Sequence, residues 1–146
     1  MDPVLAIAIA GGVVLLAAVL GLLWKRSNGR ARTSDGERFG VGDLPGLDEL
    51  ATGATLVQFS TEFCATCPGT RRYLQQMAGE RGGVAHVDVD LTHRPELAKR
   101  LHILQTPTVF VLDRNGRLDT RFGGAPRRDE LIAVLDRLDP NPEWNL

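Results

Sequence analysis

The stretch TLVQFSTEFCATC, residues 55–67, places two cysteines three positions apart soon after an apolar run. The apolar run, residues 55–59, is typical of a buried strand, and residues 68–80 have the pattern of a helix. Cys64 and Cys67 are the only 2 cysteines of the chain. A strand that leads into a Cys-x-x-Cys turn at the start of a helix is typical of a redox-active dithiol.

The spacing of the two cysteines suits disulfide chemistry. Residues three apart on a helix share one face, so their Cβ atoms can approach within disulfide range. The N–H groups and the partial positive charge of a helix N-terminus stabilise a thiolate over a thiol. We expect Cys64 to feel most of this effect and Cys67, a turn deeper, to be more buried and less acidic. One sulfur would then attack and the other would resolve.

An uncharged apolar segment, residues 4–24, precedes the cysteine-containing part of the chain. As a helix it spans about 31 Å, the thickness of a bilayer core, and Trp24 ends it where interfacial aromatic residues belong. The sequence therefore predicts a transmembrane anchor over residues 1–25. A cleaved secretory signal is the alternative, although nothing basic precedes the segment except the α-amino group.

Charge predicts the orientation of the anchor and excludes one class of partner. Basic residues cluster just after the apolar segment: Lys25, Arg26, Arg30 and Arg32. The positive-inside bias predicts a single-pass protein with its C-terminal domain in the cytoplasm. An extracytoplasmic domain stays open, since one cysteine pair fits either compartment. A formal net charge of −1 gives no reason to expect nucleic-acid binding.

Strand and helix patterns alternate along the rest of the chain. Residues 26–43 are predicted to be a linker, residues 44–139 a folded domain and residues 140–146 a tail. Strands are predicted over 54–59, 84–89, 108–112 and 118–122. Four helices are predicted: over 44–50, over 69–80, directly after a cap at Thr92, and from 123 to 138. A strand, a helix and a strand within residues 54–89 form a parallel unit with a right-handed crossover.

The order of these elements, the dithiol and Thr106-Pro107 together resemble the thioredoxin family. The resemblance extends over residues 44–138 and includes two glycine-containing turns, Asn115-Gly116 and Gly123-Gly124. It implies an α/β thioredoxin fold, a central mixed sheet of four to five strands flanked by helices, here preceded by one transmembrane helix. In that family the proline before the fourth strand is cis and faces the dithiol, and the residue before it pairs with the extended substrate. Pro107 and Thr106 match these two positions.

The resemblance implies thiol–disulfide exchange without a metal or an organic cofactor. Cys64 would attack a substrate disulfide, and Cys67 would then release the reduced substrate and leave an oxidised pair. The implied partners are a disulfide-containing client and an unidentified redox partner. Anchoring favours a client that is also at the membrane. We therefore predict a membrane-anchored protein-disulfide reductase, with extracytoplasmic disulfide or cytochrome maturation as the alternative.

Five residues around the dithiol differ from the family pattern. Gln58 stands where thioredoxins have a buried aspartate that accepts the proton of the second cysteine, and His86 stands where they have a lysine. Because the pKa of histidine lies near ~6.5, His86 is a candidate for proton transfer, with a structural role as the alternative. Phe63 replaces a tryptophan and should keep an apolar lid. Ala65 and Thr66 match neither the reducing nor the oxidising relatives, and they help to set the redox poise.

Two interpretations without catalysis use the same cysteines. The two sulfurs with His86, His93 or His102 could bind zinc, although no second pair has the expected spacing, and Cu(I) needs fewer ligands. A structural disulfide in a domain used for interaction is the other possibility. A loop of three residues removes little chain entropy, which makes it a poor stabilising crosslink.

Overall fold

A five-stranded mixed sheet forms the centre of the protein in a computed structural model that describes residues 2–34 and 36–138. The strands are β1 (Ala31–Thr33), β2 (Ala54–Ser60), β3 (Val84–Asp90), β4 (Thr108–Asp113) and β5 (Leu118–Gly123). The helices are α1 (Pro3–Ser27), α2 (Cys67–Glu80), α3 (Pro95–Arg100) and α4 (Arg128–Leu138). Across the sheet the order is β1-β5-β4-β2-β3, in which β2 and β3 are parallel and the other pairs antiparallel. The predicted α/β architecture is confirmed.

Apolar side chains cover both faces of the central strands. Successive residues of a strand point to opposite faces, so each strand contributes to two clusters. On β2, Leu56 packs in the cluster that contains Leu74 of α2 and Leu131 of α4. Val57 and Phe59 pack in the cluster on the other face, beneath residues 39–47 and α3. Because both faces of β2 are covered, all seven of its residues are buried.

Residues 26–43, which the sequence predicts to be a linker, contribute a strand and a core side chain. In β1, Ala31 lies opposite Phe122 of β5 and extends the sheet by one edge strand. Phe39 is 5% exposed, and its ring centroid lies 5.9 Å from that of Phe110. The structure thus differs from the expectation here. A polar, glycine-rich composition does not exclude an edge strand, because such a strand is held by backbone hydrogen bonds while its side chains stay in solvent.

The helix predicted over residues 44–50 does not form, and that expectation was wrong. The chain makes tight turns there, with Gly46 at φ +79° and the N–H of Leu47 donating to the carbonyl of Leu44 at 3.0 Å. Both leucines are fully buried. The positive φ of Gly46 is incompatible with a continuous α-helix. The spacing of the two leucines therefore comes from a turn that inserts both side chains into the core.

Two helix starts also differ from the sequence prediction. Thr92 does not cap α3, because its hydroxyl donates to Asp90 and Arg94 occupies the N-cap position. The last helix begins at Arg128 rather than within residues 123–126, because those residues end β5 and turn the chain. The predicted tail, residues 140–146, lies outside the described residues, as does residue 139.

α1 is long and apolar enough to cross a membrane, with a mean hydropathy of 2.7 in its most apolar 18-residue window. A signal sequence near an N-terminus would meet the same criterion. No residue of α1 is buried in the protein. Its apolar surface is therefore left without a covering partner inside the domain.

The placement of Phe39 predicts a stability difference within the supposed linker. We expect Phe39→Ala to lower the free energy of unfolding by about 3–5 kcal/mol, because it removes a buried aromatic ring. Val41→Ala is the matched control, since Val41 is 61% exposed and should change that free energy by no more than about 0.5 kcal/mol. Pulse proteolysis of the full chain in detergent over a urea series measures both. Equal effects of the two substitutions would contradict the placement of Phe39 in the core.

Candidate redox-active site

Cys64 and Cys67 form a disulfide at the start of α2. Their Cα atoms are 5.4 Å apart, within the usual range for a disulfide. The N–H of Cys67 donates to the carbonyl of Cys64 at 3.3 Å, so the motif forms a turn. α2 begins at Cys67 itself, with Pro68 in its first turn, where the missing N–H is not needed. Cys64 therefore lies just before the helix, which begins one residue before the predicted range 68–80, and Cys67 is its first residue rather than a residue one turn inside it.

The two cysteines differ in their access to solvent. Cys67 is 1% exposed, whereas Cys64 is partly exposed. The hydroxyl of Thr66 lies 3.7 Å from the Cys64 sulfur, where it can donate to a thiolate once the disulfide opens. A second protein can therefore reach Cys64 from solvent, while Cys67 is reached only from within the turn.

Gln58 lies fully buried behind the dithiol. Its Nε2 donates to the backbone carbonyl of Cys67 at 3.0 Å, and its Oε1 lies 3.3 Å from Nε2 of His86. The structure thus brings together the two residues that the sequence singled out beneath the dithiol. An amide cannot ionise, so Gln58 holds the turn in place without accepting a proton. The contact from His86 to Cys67 runs through that amide.

Burial lowers the pKa of His86 below its ordinary value. Asp88, two residues along β3, raises that pKa and so opposes the effect of burial, while Arg71 of α2 lowers it further. Arg71 and Asp88 are paired with each other, which moderates the field of both charges at the imidazole. His86 is therefore uncharged at neutral pH, and its Nε2–H donates a hydrogen bond to the Oε1 of Gln58.

The loop before β4 meets the loop after β2 at one edge of the sheet. The peptide bond between Thr106 and Pro107 is cis, as the sequence predicts. The hydroxyl of Thr106 lies 3.3 Å from that of Thr61, and the carbonyl of Pro107 accepts the N–H of Gly124 at 2.8 Å. Because β2 and β4 are antiparallel, the end of one strand and the start of the other are adjacent. The dithiol and the cis-proline loop thus share this edge.

Exposed apolar side chains border the edge on both loops. Phe63 is 86% exposed, so its ring does not cover the dithiol, and the apolar lid expected from the sequence is not formed. Ala65, between the cysteines, is also exposed. Leu104 is 95% exposed and precedes Thr106 by two residues. Sequence reasoning missed Leu104; an apolar residue two positions before Thr106-Pro107 was the available signal.

The histidines do not gather around the dithiol. His93 and His102 occupy exposed positions, and the imidazole of His86 faces Gln58. Within residues 2–34 and 36–138, no group of three or more histidine, cysteine, aspartate or glutamate side chains is placed to hold a metal ion. The four-ligand zinc arrangement considered from the sequence has no counterpart in that part of the chain.

Comparison with known proteins bears on the family of this chain. The thioredoxin family model matches residues 48–137, more than half of the chain. The protein belongs to the thioredoxin family. A thioredoxin of Chlamydia trachomatis is 28% identical over 90 residues, covering 62% of this chain and 87% of that protein. Thioredoxin H2-1 of Oryza sativa is 32% identical over 87 residues, covering 60% of this chain and 62% of that protein.

A solved thioredoxin structure agrees with this assignment. Thioredoxin f2 of Chlamydomonas reinhardtii is 26% identical, superposes with a TM-score of 0.52, and covers 62% of this chain and 82% of its own. Family membership and a cysteine pair at bonding distance support thiol–disulfide oxidoreductase activity. The family match begins at residue 48, so α1 and β1 are additions at the N-terminal side of the matched region.

The lowered pKa of His86 predicts a pH-dependent stability. Below about pH 6.5 the unfolded chain binds a proton on this histidine, whereas the folded protein binds it only at lower pH. The free energy of unfolding should therefore fall as the pH decreases through the window between these two pKa values. We expect His86→Gln to flatten this dependence between about pH 7 and pH 5 in urea unfolding of the oxidised protein.

His93→Gln is the matched control for this measurement, because His93 is exposed. Its pH profile should be that of the unsubstituted protein. A profile that is the same for the unsubstituted protein and for His86→Gln would show that His86 is not held neutral by burial.

Proposed function

We propose that this thioredoxin-family protein is a membrane-anchored reductase that reduces client disulfides through Cys64 and Cys67. The arrangement that supports this proposal is an accessible cysteine bonded to a buried one, beside a cis-proline loop at the same edge of the sheet. Cys64 is assigned the attacking role because a client can reach it. Cys67 is assigned the resolving role because it is buried and the sulfur within its reach is that of Cys64.

The proposed reaction conserves atoms and electrons over two exchanges. The Cys64 thiolate attacks one sulfur of the client disulfide, and the other client sulfur leaves as a thiolate that takes up a proton. Cys67 loses its proton and attacks the Cys64 sulfur, which breaks the mixed disulfide and releases the second client thiol. Two electrons pass to the client, and the protein is left with its internal disulfide. A dithiol or thiol donor must then reduce that disulfide again.

We assign the remaining site residues supporting roles. Thr106 offers its backbone to an extended client segment, and Pro107 sets the shape of that loop. Phe63 and Ala65 provide apolar contact surface beside Cys64. Thr66 stabilises the Cys64 thiolate through its hydroxyl, which lies within reach of the sulfur. These roles follow from the shared edge of the sheet and from the exposure of the side chains.

Gln58 and His86 are assigned positioning roles behind Cys67. The Gln58 amide holds the Cys67 carbonyl, and His86 orients that amide from its other end. Since Gln58 cannot take the proton of Cys67, water or the neutral imidazole of His86 must accept it during the second exchange. This pair therefore replaces the buried carboxylate of the family pattern with an arrangement that stays uncharged.

We further propose that α1 anchors the protein and that the folded domain lies in the cytoplasm. Lys25 and Arg26 stand in the last turn of α1, and Arg30 and Arg32 follow it. Basic residues that flank a span stay on the cytoplasmic side. Because β1 belongs to the sheet, we place the start of the folded domain at β1 rather than at residue 44. A domain on the other side of the membrane, serving extracytoplasmic disulfides, is the alternative that topology mapping distinguishes.

The exchange mechanism predicts different failures for the two cysteines. The reduced protein should reduce the interchain disulfides of insulin, and Cys64→Ser should abolish this activity because the attacking sulfur is gone. Cys67→Ser should accumulate a mixed disulfide between Cys64 and the client, seen on non-reducing gels and by mass spectrometry. Activity that persists in Cys64→Ser, or multiple turnover by Cys67→Ser without a trapped complex, would contradict the proposal.

The proposed topology is measured with reporters fused after Leu146. A fluorescent protein that folds only in the cytoplasm should be active, and alkaline phosphatase, active only outside it, should be silent. Replacing Lys25 and Arg26 by glutamine should weaken this preference, because the flanking charge is reduced. Replacing Lys99 and Arg100, an exposed Lys-Arg pair in α3, should not. An active phosphatase fusion, or a mature protein without α1, would contradict the proposed anchoring.

A further inference from the structure

The strand directions place the end of α1 and the dithiol at the same edge of the sheet. β1 is antiparallel to β5, β5 to β4, and β4 to β2. The N-terminal end of β1 therefore lies beside the C-terminal end of β5, the start of β4 and the end of β2. Ala31 opposite Phe122 and Thr108 opposite Gly123 fix this alignment. The chain thus leaves α1 at the edge that carries the dithiol.

The connection between α1 and β1 is short and fixed to the domain. The side-chain oxygen of Asn28 accepts a hydrogen bond from Gln105 at 2.9 Å. The N–H of Gly29 donates to the carbonyl of Gly123 at 2.7 Å. Gly29 is buried at φ +75°, and a Cβ there would collide with the carbonyl oxygen of Ala125. These contacts hold the connection against the domain, so it is not a flexible tether.

A series of contacts leads from this connection to the dithiol. Gln105, which holds Asn28, directly precedes Thr106, whose hydroxyl lies 3.3 Å from that of Thr61. Thr61 precedes Cys64 by three residues. β1 and β2 are separated by three strand spacings, so the dithiol lies about 14 Å to the side of the anchor. This offset is perpendicular to the strands, so the dithiol and the end of α1 stay at the same edge of the sheet.

The surface at this edge has the composition of a membrane interface. Trp24 lines a groove together with Leu104, Arg30, Arg32 and Arg121. A tryptophan at the end of a span lies at the level of the headgroups, so the loop that carries Leu104 lies near that level too. The exposed side chains of Arg30 and Arg32 at this level are attracted to anionic lipids, whereas Arg121 donates to the carbonyls of Leu101 and His102.

Exposed apolar side chains are concentrated at the same edge. Among the described residues after α1, the exposed large apolar side chains are Val41, Phe63 and Leu104. Phe63 and Leu104 flank the dithiol and the cis-proline loop. Val41 lies two residues after Phe39, whose N–H donates to Gly116 in the turn between β4 and β5, at the opposite edge.

We propose that the dithiol edge faces the bilayer and that the substrate is a disulfide in the juxtamembrane segment of another membrane protein. This inference rests on the proposed reductase function and adds a geometric criterion for its client. A disulfide close to the headgroups meets Cys64 directly, whereas one held far above the membrane does not. The reduced pair gives two electrons to the juxtamembrane disulfide, and both client sulfurs leave as thiols.

The test compares disulfides at two heights above the same membrane. The full chain, reduced beforehand, is reconstituted into vesicles of phosphatidylcholine and phosphatidylserine with a transmembrane peptide that carries a two-cysteine disulfide loop. A flexible spacer of about 4 or about 25 residues separates the loop from the span. The root-mean-square end-to-end distances of the two spacers are about 11 and about 28 Å. We expect the near loop to be reduced about tenfold faster than the far loop in a single turnover.

An insertion variant provides the matched control. About 15 glycine and serine residues inserted between Ser27 and Asn28 keep the bonds of Asn28 to Gln105 and of Gly29 to Gly123, but they separate Asn28 from the carbonyl of Trp24 and so free the domain from its fixed height. The near-to-far ratio should fall to about one, while a water-soluble disulfide peptide should be reduced at the same rate by both proteins.

The outcomes separate this inference from the function on which it rests. Equal rates for near and far loops in the unsubstituted protein, with normal reduction of the soluble peptide, would overturn the membrane-facing site and leave the reductase function intact. A protein that reduces none of the three peptides would overturn the reductase function and this inference together. A near-to-far preference that the insertion does not change would also overturn the membrane-facing site, because the preference would then not come from the fixed connection.

Discussion

β2 and β4 pair antiparallel at the centre of the sheet, with Val57 opposite Phe110. This pairing brings the dithiol, which follows β2, next to the cis-proline loop, which precedes β4. Three aromatic rings pack together on one face of this strand pair. The ring centroid of Phe110 lies 4.7 Å from that of Phe59 and 5.9 Å from that of Phe39. Strand pairing of this kind tolerates no slip, because a shift by one residue would turn each buried side chain to the other face. The position of the site is therefore as well determined as the core itself.

The polar groups behind the dithiol satisfy one another without a buried charge. The Gln58 amide is fully buried, and it meets the carbonyl of Cys67 on one side and the imidazole of His86 on the other. Burying a charged group costs far more free energy than burying an amide that is hydrogen-bonded. The charges of this region, on Arg71 and Asp88, instead pair at partly exposed positions. In the proposed exchange, the proton of the buried cysteine therefore leaves through groups that are neutral at rest.

The N-terminal additions to the thioredoxin-like region connect α1 to the edge of the sheet that carries the site. β1 joins the sheet beside β5, and the contacts of Asn28 and Gly29 fix the end of α1 beside the cis-proline loop. An anchor confines a protein to the neighbourhood of membrane-bound clients, which raises their effective concentration. A rigid connection adds an orientation to that confinement, since it determines which edge of the domain faces the bilayer. In this protein the edge connected to α1 carries the dithiol.

The sequence alone was sufficient for features that arise from local chemistry. The spacing of Cys64 and Cys67 and the apolar periodicity of β2 to β5 led to the dithiol and to alternating strands and helices, and the resemblance to the thioredoxin family, which these share with Thr106-Pro107, implied the fold and the cis bond. The turn at residues 44–50 and the strand within residues 26–43 were misjudged, because one leucine pattern suits both a helix and a buried turn. Edge strands, moreover, are defined by their partners rather than by their own side chains.

The remaining features depend on contacts between residues far apart in the chain. Asn28 meets Gln105 across 77 positions, and Gln58 meets His86 across 28. No periodicity or motif records such a pairing, since it is created only when the strands align in the order β1-β5-β4-β2-β3. The chemistry of the site was thus inherent in its residue types. Its position beside the end of α1, and the neutral pair behind Cys67, arose from the folded arrangement of the sheet.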